Sequence, residues 1–252
     1  MTTLKTFAFI FVLLLLVNPV RVQAQSVRPD TARAAASPSA QRVRGVQYAS
    51  REEAAAAMEA NNRLPLLAGV SVMVDAAGAV MALATPYGQY EAAARVNLRG
   101  RYFPIVEVGW GVSDNLNETT NNHYKVSAPY FRAGLDYNVA KNKRSGNRIF
   151  IGVRYGFSSF KYDMEGPDIA DAVYGTTSPF HLEGVKGTNH WGEALFGLEA
   201  RVWGMLHLGW TIRYRLRFSD KASEWGSPWY VPGYGRNDSH AIGGTFNLIF
   251  DI

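Results

Sequence analysis

The stretch SHAIGGTFNLIFDI, Ser239–Ile252, ends the chain and decides the expected fold. Its apolar side chains recur at every second position, and the set is Ile242, Gly244, Phe246, Leu248, Phe250 and Ile252. A period of two is that of a β-strand, whose successive side chains point to opposite faces of a sheet. The stretch therefore predicts a final strand with one apolar face. Taken alone, these residues do not decide whether that face packs in a protein core or meets another medium.

The period of two continues through seven earlier segments, so the chain is predominantly β. Together with the final stretch they cover about residues 67–75, 90–99, 102–113, 126–139, 148–160, 191–202, 206–218 and 239–252. We expect the first strand to continue, after a kink at Gly78, to about Ala84. Two folds fit these strands: a soluble sandwich with the final stretch at its edge, and a bacterial outer-membrane barrel that the final stretch closes.

The chemistry of the two strand faces decides between these folds. One face is aliphatic and aromatic for about ten residues per strand, the length that crosses a bilayer core. The other face carries charges of both signs interleaved with glycines. Only lipid tolerates so continuous an apolar exterior, and only a closed sheet leaves no unpaired backbone edge in it. We therefore expect an all-β fold, an eight-stranded antiparallel transmembrane β-barrel with up-and-down meander topology, over residues 65–252.

The charged face is expected to line the lumen of this barrel. The set is Glu91, Arg95, Glu107, Arg132, Asp136, Arg154, Glu193, Glu199, Arg201, Arg213 and Arg215. An eight-stranded barrel is narrow enough for side chains to fill, and the forked donors of arginine match carboxylates. We interpret the set as a structural ion-pair network that plugs the lumen, with an ion or proton path as the alternative. Arg99, Arg148 and Arg217 are expected at the rims, in water.

The connections between the predicted strands alternate in length. Those at 114–123, 164–187 and 219–238 are long and polar, and the others are shorter. Long loops outside and short turns inside are typical of outer-membrane barrels, so both termini are expected in the periplasm.

The third long loop is rich in aromatic residues, namely Trp225, Trp229, Tyr230 and Tyr234. Exposed aromatic side chains of this kind form a possible extracellular interaction surface. The interpretation that we favour is that the loop folds over the barrel mouth and packs on itself.

The N-terminal region predicts export. Lys5 precedes an uninterrupted apolar run, Phe7–Val17, which is too short to span a bilayer. The pattern is that of a cleaved signal peptide over residues 1–24. The chain has no cysteine, which excludes a lipid-anchored lipoprotein, disulfide bonds and thiolate metal sites.

Two further segments separate the signal peptide from the barrel. Residues 25–49 are expected to be a flexible periplasmic linker, because they contain few large apolar side chains. Ser50 and Glu53 form a capping box, which predicts a short N-terminal helix within residues 50–64.

Composition and motifs argue against several functions. The formal net charge is +5 and the pI is near 9.4, but no run of basic residues suits a nucleic acid. No metal, nucleotide or hydrolase motif is present, so no cofactor is expected. Ser239 and His240, next to Asp238, suggest acyl transfer, but adjacent residues of a strand point to opposite faces. We expect no enzyme; a lipid A acyltransferase or deacylase using loop or rim residues near His240 is the alternative.

Five segments in order carry a resemblance to a known family: YGQYEAAARVNL, RYFPIVEVGWG, YKVSAPYFRAGLDYN, WYVPGYG and GGTFNLIFDI. They resemble an uncharacterised domain-of-unknown-function family of predicted outer-membrane barrel proteins from Bacteroidota, over about Leu66–Ile252. The resemblance implies membership and location but no activity. In architecture the chain is similar to small barrels of the OmpA/OmpX type.

The expected function is that of an outer-membrane barrel of the Gram-negative cell envelope that is structural or presents extracellular loops for interaction. A narrow pore is a further alternative. The expected partners are outer-membrane lipid, lipopolysaccharide and the outer-membrane assembly machinery, and not nucleic acid. We expect a monomer.

Overall fold

The computed structural model describes residues 41–43, 46–48, 50–170, 175–221 and 227–252. The predicted signal peptide, most of the predicted linker and Trp225 lie outside these residues. Strands β1 (Gln41–Val43) and β2 (Val46–Tyr48) pair as an antiparallel hairpin. The end of the segment predicted as a flexible linker is therefore extended and paired, as its valines and tyrosine favour.

Two helices and ten strands follow this hairpin in the described part of the chain. They are α1 (Arg51–Asn61), β3 (Leu67–Asp75), α2 (Ala76–Ala84), β4 (Tyr87–Leu98), β5 (Tyr102–Asn117), β6 (Asn122–Asn138), β7 (Arg148–Ala170), β8 (Thr177–Trp203), β9 (Leu206–Lys221), β10 (Tyr230–Val231), β11 (Gly235–Arg236) and β12 (His240–Asp251). Within the described ranges no helix is long and apolar enough to cross a membrane.

Eight strands close into one antiparallel barrel in the order β12-β3-β4-β5-β6-β7-β8-β9. The closing seam runs from Asn247 opposite Asp75 to Asp251 opposite Ser71. Beyond it, the amide of Ile252 donates to the carbonyl of Val70 at 2.7 Å. The predicted eight-stranded antiparallel barrel is confirmed, and the C-terminal stretch is the strand that closes it.

The two faces of the strands divide as a period of two requires. In β12, Ile249 is 1% exposed, whereas its neighbour Phe250 is 46% exposed. Around the ring, the large apolar side chains lie mostly on the outside and the charged ones are buried within. The interior of the barrel is thus far more polar than the core of an ordinary soluble protein.

Helix α1 forms where the capping box predicts it and docks at the short-turn end of the barrel. The Ser50 hydroxyl accepts the amide of Glu53 at 3.1 Å. After the helix, the side chain of Asn62 donates to the carbonyl of Lys141 at 2.7 Å and accepts the amide of Lys143 at 3.0 Å. These bonds tie the end of the helix to the turn between β6 and β7.

Helix α2 occupies the place of the predicted continuation of the first strand, so that prediction is wrong. Its sequence, AAGAVMALA, is dominated by alanine, methionine and leucine, which favour a helix. Asp75 caps it, because its Oδ1 accepts the amide of Ala77 at 3.1 Å. Ala82 of the helix packs on Gly88 of β4, where a Cβ would lie 2.2 Å from the Ala82 nitrogen. The helix therefore packs against β4, beyond the end of β3.

The loop predicted at 114–123 is mostly strand. β5 and β6 remain paired as far as Asn117 opposite Asn122, so only residues 118–121 connect them. None of the residues 114–123 is buried, so the ladder between the two strands, and not a buried inward face, extends them here.

The loop predicted at 164–187 is also mostly strand. β7 and β8 remain paired as far as Ala170 opposite Thr177. Here Tyr162 and Val185 point inward and are buried. The barrel wall therefore extends much further at the long-loop end than at the short-turn end.

Candidate functional site: the filled lumen

Ten of the eleven predicted lumen residues are buried inside the barrel, on six adjacent strands. They are Glu91, Arg95, Glu107, Arg132, Asp136, Arg154, Glu193, Glu199, Arg213 and Arg215, each at most 9% exposed. A charge at this depth is very unfavourable unless it is paired and hydrogen-bonded. The geometry of the pairs is therefore what allows these side chains to fill the lumen.

Glu107 is the centre of the network. Its carboxylate lies 2.7 Å from Arg213 Nη1, 3.0 Å from Arg132 Nη1 and 3.0 Å from Arg154 Nε. Three guanidinium groups from three strands thus meet one carboxylate. Arg154 also forms a two-bond fork with Asp136, at 2.7 and 2.8 Å.

Glu91 and Glu193 hold the other side of the same arginines. Glu91 Oε2 accepts Arg132 Nη1 at 2.7 Å and the hydroxyl of Tyr130 at 2.6 Å. Glu193 lies 3.1 Å from Arg132 Nε, 3.3 Å from Arg213 Nη1 and 3.4 Å from Arg215 Nε. Each carboxylate therefore has several cationic partners, which offsets its loss of water.

A second group of charges lies at the short-turn end. Arg95 forms a fork with Glu199 at 2.5 and 2.9 Å. Arg148 donates to Asp251, and its Nη1 lies 3.4 Å from Glu199 Oε2. The Ser71 hydroxyl donates to Asp251 Oδ1 at 2.6 Å. Arg148 was expected at a rim in water, and that is wrong, because its side chain is only 11% exposed in this group.

Sequence reasoning missed Asp251 and the buried His207, whose Nε2 lies 3.3 Å from Asp251 Oδ2. The signal was available for Asp251, because this residue has the opposite parity to the apolar positions of the final strand. Its place near the end of the chain concealed a role inside the lumen.

Arg201 does not join the network, so its predicted lumen position is wrong. It is exposed at the short-turn rim, where its Nε donates to the carbonyl of Gly204 at 2.9 Å. The pairing of β8 with β9 shifts register between Arg201 and Trp203, at the end of the strand. Alternation along a strand predicts burial only where the strands enclose the lumen, and Arg201 lies beyond that part of the barrel.

The ion-paired charges inside the lumen are balanced. Without Arg201, and with Arg148 and Asp251, the two groups together contain six arginines and six carboxylates. They are Arg95, Arg132, Arg148, Arg154, Arg213 and Arg215, with Glu91, Glu107, Asp136, Glu193, Glu199 and Asp251. This balance removes the excess of arginine that the predicted set contains.

The loop between β9 and β12 enters the lumen from the long-loop end. We call residues 228–237 the plug. Strands β10 and β11 form a short hairpin within it, and Val231 and Tyr234 are completely buried. The plug packs against a cluster of inward aromatic and aliphatic side chains on β6, β7 and β8 that includes Tyr124, Phe160 and Trp191.

The plug is hydrogen-bonded to the ion-pair network beneath it. Arg132 Nη2 donates to the carbonyl of Gly233 at 2.8 Å, and Arg215 Nη1 donates to that of Tyr234 at 2.7 Å. The Tyr124 hydroxyl donates to the carbonyl of Tyr230 at 2.7 Å. Backbone carbonyls of the plug thus complete the partners of two network arginines.

This position bears on the predicted extracellular interaction surface. Tyr230 and Tyr234 are buried, so they cannot belong to such a surface. Trp229 is half-buried, with its ring centroid 6.2 Å from that of Tyr124. Trp225 lies outside the described residues. The loop packs into the barrel mouth, which agrees with the interpretation that we favour.

A sequence profile for a domain of unknown function, DUF6048, matches residues 3–251. The chain belongs to the DUF6048 family. This confirms that the five quoted segments belong to an uncharacterised domain family, and the match begins well before Leu66. No curated protein sequence matches the chain.

One solved structure similar to this DUF6048 chain is a major outer membrane protein from Thermus thermophilus. The two share 13% identity with a TM-score of 0.41, over 73% of this chain and 98% of the other. So distant a similarity has no bearing on function.

The interior of the DUF6048 barrel leaves little free space between the two groups of charges. A cavity of about 20 Å³ lies among Arg95, Asp136 and Met73. That volume holds about one water molecule. Among the residues that the structure describes, no three His, Asp or Glu side chains are arranged to hold a metal ion.

Two serine and histidine arrangements are relevant to catalysis in the DUF6048 chain. The Ser239 hydroxyl lies 3.1 Å from Nδ1 of the adjacent His240, at the exposed long-loop end of β12. At the other end, Asp251 lies between Ser71 and His207, so the histidine does not contact the serine. Only the first arrangement places a base beside a hydroxyl.

Proposed function

We propose that this protein is an outer-membrane β-barrel whose lumen is plugged by its own side chains. Its role is structural, with the extended β7–β8 hairpin and the outer loops presented for interaction. The observation that carries the proposal is the inverted distribution of polarity, with an apolar outside around a charged inside.

The apolar exterior supports a lipid environment. Val106, Ile151, Val153 and Ile212 come from three strands, and each is at least 50% exposed. Soluble monomers rarely expose a contiguous apolar patch of more than a few hundred Å². Here such side chains surround the barrel, and lipid is the medium in which they are not exposed to water.

The orientation follows from the asymmetry of the two ends. The short turns, the docked end of α1 and Ile252 share one end, and the strand extensions share the other. In outer-membrane barrels the short turns face the periplasm. We therefore place both termini in the periplasm, after cleavage of a signal peptide at residues 1–24, and the β7–β8 hairpin outside the cell.

This environment implies the partners of the protein. Outer-membrane lipid and lipopolysaccharide surround it, and the outer-membrane assembly machinery inserts it. The barrel closes within one chain, which supports a monomer. The OmpA/OmpX type remains an analogy of architecture only.

Single-cysteine labelling tests the location and the orientation, because the chain contains no cysteine of its own. Thr177→Cys places a thiol on the outer hairpin, and Lys141→Cys is the matched variant on a short turn. A membrane-impermeant maleimide should label the first variant in intact cells and the second only after the outer membrane is permeabilised. The reverse pattern would contradict the orientation.

Planar-bilayer recording tests the closed lumen. Because six arginines and six carboxylates pair inside the barrel and the plug packs at its mouth, we expect the purified protein to show no steady conductance. A stable open level would favour the narrow pore instead.

A lipid-modifying enzyme is the second candidate, and the contact between Ser239 and His240 is the observation that favours it. A serine beside a base is the arrangement needed for acyl transfer. Mass spectrometry of lipid A from a deletion strain, complemented with wild type or Ser239→Ala, separates the candidates. The structural role predicts identical lipid A profiles, whereas an acyl chain gained or lost only with the wild type would support the enzyme.

A further inference from the structure

Two lysines face each other on the outside of the barrel wall. Lys161 of β7 lies directly opposite Lys186 of β8 in the antiparallel pair. Both side chains are exposed, whereas the adjacent Tyr162 and Val185 are buried inside. The two lysine side chains are therefore neighbours on the outer face of the barrel.

The described acidic residues of this part of the barrel form no ion pair with the two lysines. Like charges directly opposite each other destabilise an antiparallel sheet. Among the described residues, neither lysine makes an ion pair. The nearby Asp114 lies 2.6 Å from His123 and 4.0 Å from Lys125, and the Asp163 carboxylate accepts the amide of Gly184 at 2.7 Å. An external anion would remove the repulsion.

The outward positions below the lysines change polarity in a regular order. Toward the middle of the barrel, the successive cross-strand pairs are Ser159 with Thr188, Phe157 with His190, Tyr155 with Gly192, Val153 with Ala194 and Ile151 with Phe196. On β6, Phe131 lies opposite Phe157 in the aromatic row, and Lys125 lies opposite Asp163, beyond the two lysines. Cation, hydroxyl, aromatic and aliphatic rows thus succeed one another.

This order matches the depth profile of a membrane interface. The lysine row lies four residues, or about 13 Å along the strand, beyond Phe157. Strand tilt shortens this distance to about 10 Å along the membrane normal. Long lysine side chains bend back toward the interface, so the ammonium groups reach the level at which headgroup phosphates lie.

We propose that Lys161 and Lys186 bind a phosphate group of the phosphorylated glycolipid in the outer leaflet, with the Ser159 and Thr188 hydroxyls beneath it. This deepens the proposed function and rests on it, because the outer leaflet is assigned through the proposed orientation. A phosphate between the lysines pairs with both cations and leaves the acyl chains along the aromatic and aliphatic rows.

The test uses the full chain in phosphatidylcholine nanodiscs that contain either lipid A or its dephosphorylated form. Native mass spectrometry then measures the lipid retained on the released barrel. We expect the wild type to retain lipid A about tenfold more than the dephosphorylated form, and Lys161→Gln/Lys186→Gln to lose this preference. Lys161→Arg/Lys186→Arg should keep it, because the charge remains.

The matched control removes two positive charges from the other end of the barrel, in Arg99→Gln/Lys141→Gln, and should keep the wild-type preference. Equal retention of both lipids by the inserted wild type, or an unchanged preference in Lys161→Gln/Lys186→Gln, would overturn the lipid site and leave the barrel proposal standing. Failure of the wild type to insert into nanodiscs would contradict the proposed outer-membrane barrel itself, so the two failures are distinct.

Discussion

Tyr130 shows, at the scale of single residues, how closely the plug fits the barrel. Its ring lies between Gly109 of the wall and Gly233 of the plug, where a Cβ would be 2.2 and 2.4 Å from ring atoms. Gly233 also has φ +78°, which non-glycine residues rarely adopt. Gly233→Ala should therefore lower the free energy of unfolding by at least about 1–3 kcal/mol, measured by urea denaturation in detergent.

Gly204→Ala separates the two causes of that loss. Gly204 has φ +53°, but no heavy atom lies within 4 Å of the position that a Cβ would take there. Strain alone therefore acts at Gly204, and the overlap with Tyr130 is added at Gly233. Equal losses in the two variants would show that the plug does not pack against Tyr130 as described.

Glu107 is the residue whose loss should destabilise the network most. In Glu107→Leu, three buried arginines lose a shared partner, and an uncompensated buried charge costs about 3–5 kcal/mol. Glu118→Leu removes a carboxylate from an exposed turn and should change stability by less than about 0.5 kcal/mol. Similar unfolding midpoints for the two variants would contradict the central position of Glu107.

His181, on the exposed β7–β8 hairpin, offers a pH-dependent test. Its hydrogen bond to Glu183, at 2.8 Å, raises the pKa of the imidazole. A raised pKa in the folded state means that the contact stabilises the hairpin fully below the ordinary histidine pKa, and that this stabilisation is lost as pH rises through the folded value. NMR titration should give a lower His181 pKa in Glu183→Gln. Glu118→Gln should leave it unchanged.

The lumen residues were predictable because parity along a strand is a local property of the sequence. Ten of the eleven follow from alternation alone, since each lies within a paired strand. The predicted position of Arg201 is wrong because alternation does not reveal where the enclosed lumen ends. The partners were not predictable, because the contact of Arg95 with Glu199 joins residues from strands distant in sequence.

At the scale of elements, α2 is where local preference overrides the pattern of the barrel. A continued β3 would lie between β12 and β4, but the alanine-rich sequence gives up those ladder hydrogen bonds for helical ones. Asp75 connects α2 to β12, because its Oδ1 accepts the amide of Ala77 at 3.1 Å and that of Phe246 at 3.3 Å. An alternation of alanine with larger residues fits a strand or a helix. The aspartate before it, a residue that often caps helices, was the signal for a helix.

The junction predicts different effects of two substitutions at Asp75. Asp75→Ala removes the cap and the acceptor for Phe246, so it should cost about 1–2 kcal/mol of unfolding free energy. Asp75→Asn retains a capping oxygen and should cost less. Amide hydrogen exchange in α2 should accelerate only in the alanine variant; equal exchange in both would show that the cap does not hold the helix.

At the scale of the whole molecule, the proposed closure of the lumen consists of two layers with different physics. The inner layer consists of charged side chains fixed by mutual pairing, and the outer layer is the plug packed among aromatic rings. They meet where Arg132 and Arg215 donate to the carbonyls of Gly233 and Tyr234. Side chains can fill the cross-section of an eight-stranded barrel, so we expect closure to survive the loss of either layer.

Conductance of three variants tests this double closure. One replaces residues 228–237 with a short Gly/Ser linker, the second combines Glu107→Ala, Arg132→Ala and Arg213→Ala, and the third carries both changes. Because either remaining layer blocks water and ions, the first two should stay closed in planar bilayers and only the third should open. Steady current through the first variant would mean that the ion pairs part without the plug, and current through the second would mean that the plug alone does not seal. A closed third variant would place the remaining barrier in the second group of charges, at the short-turn end, which these substitutions leave intact.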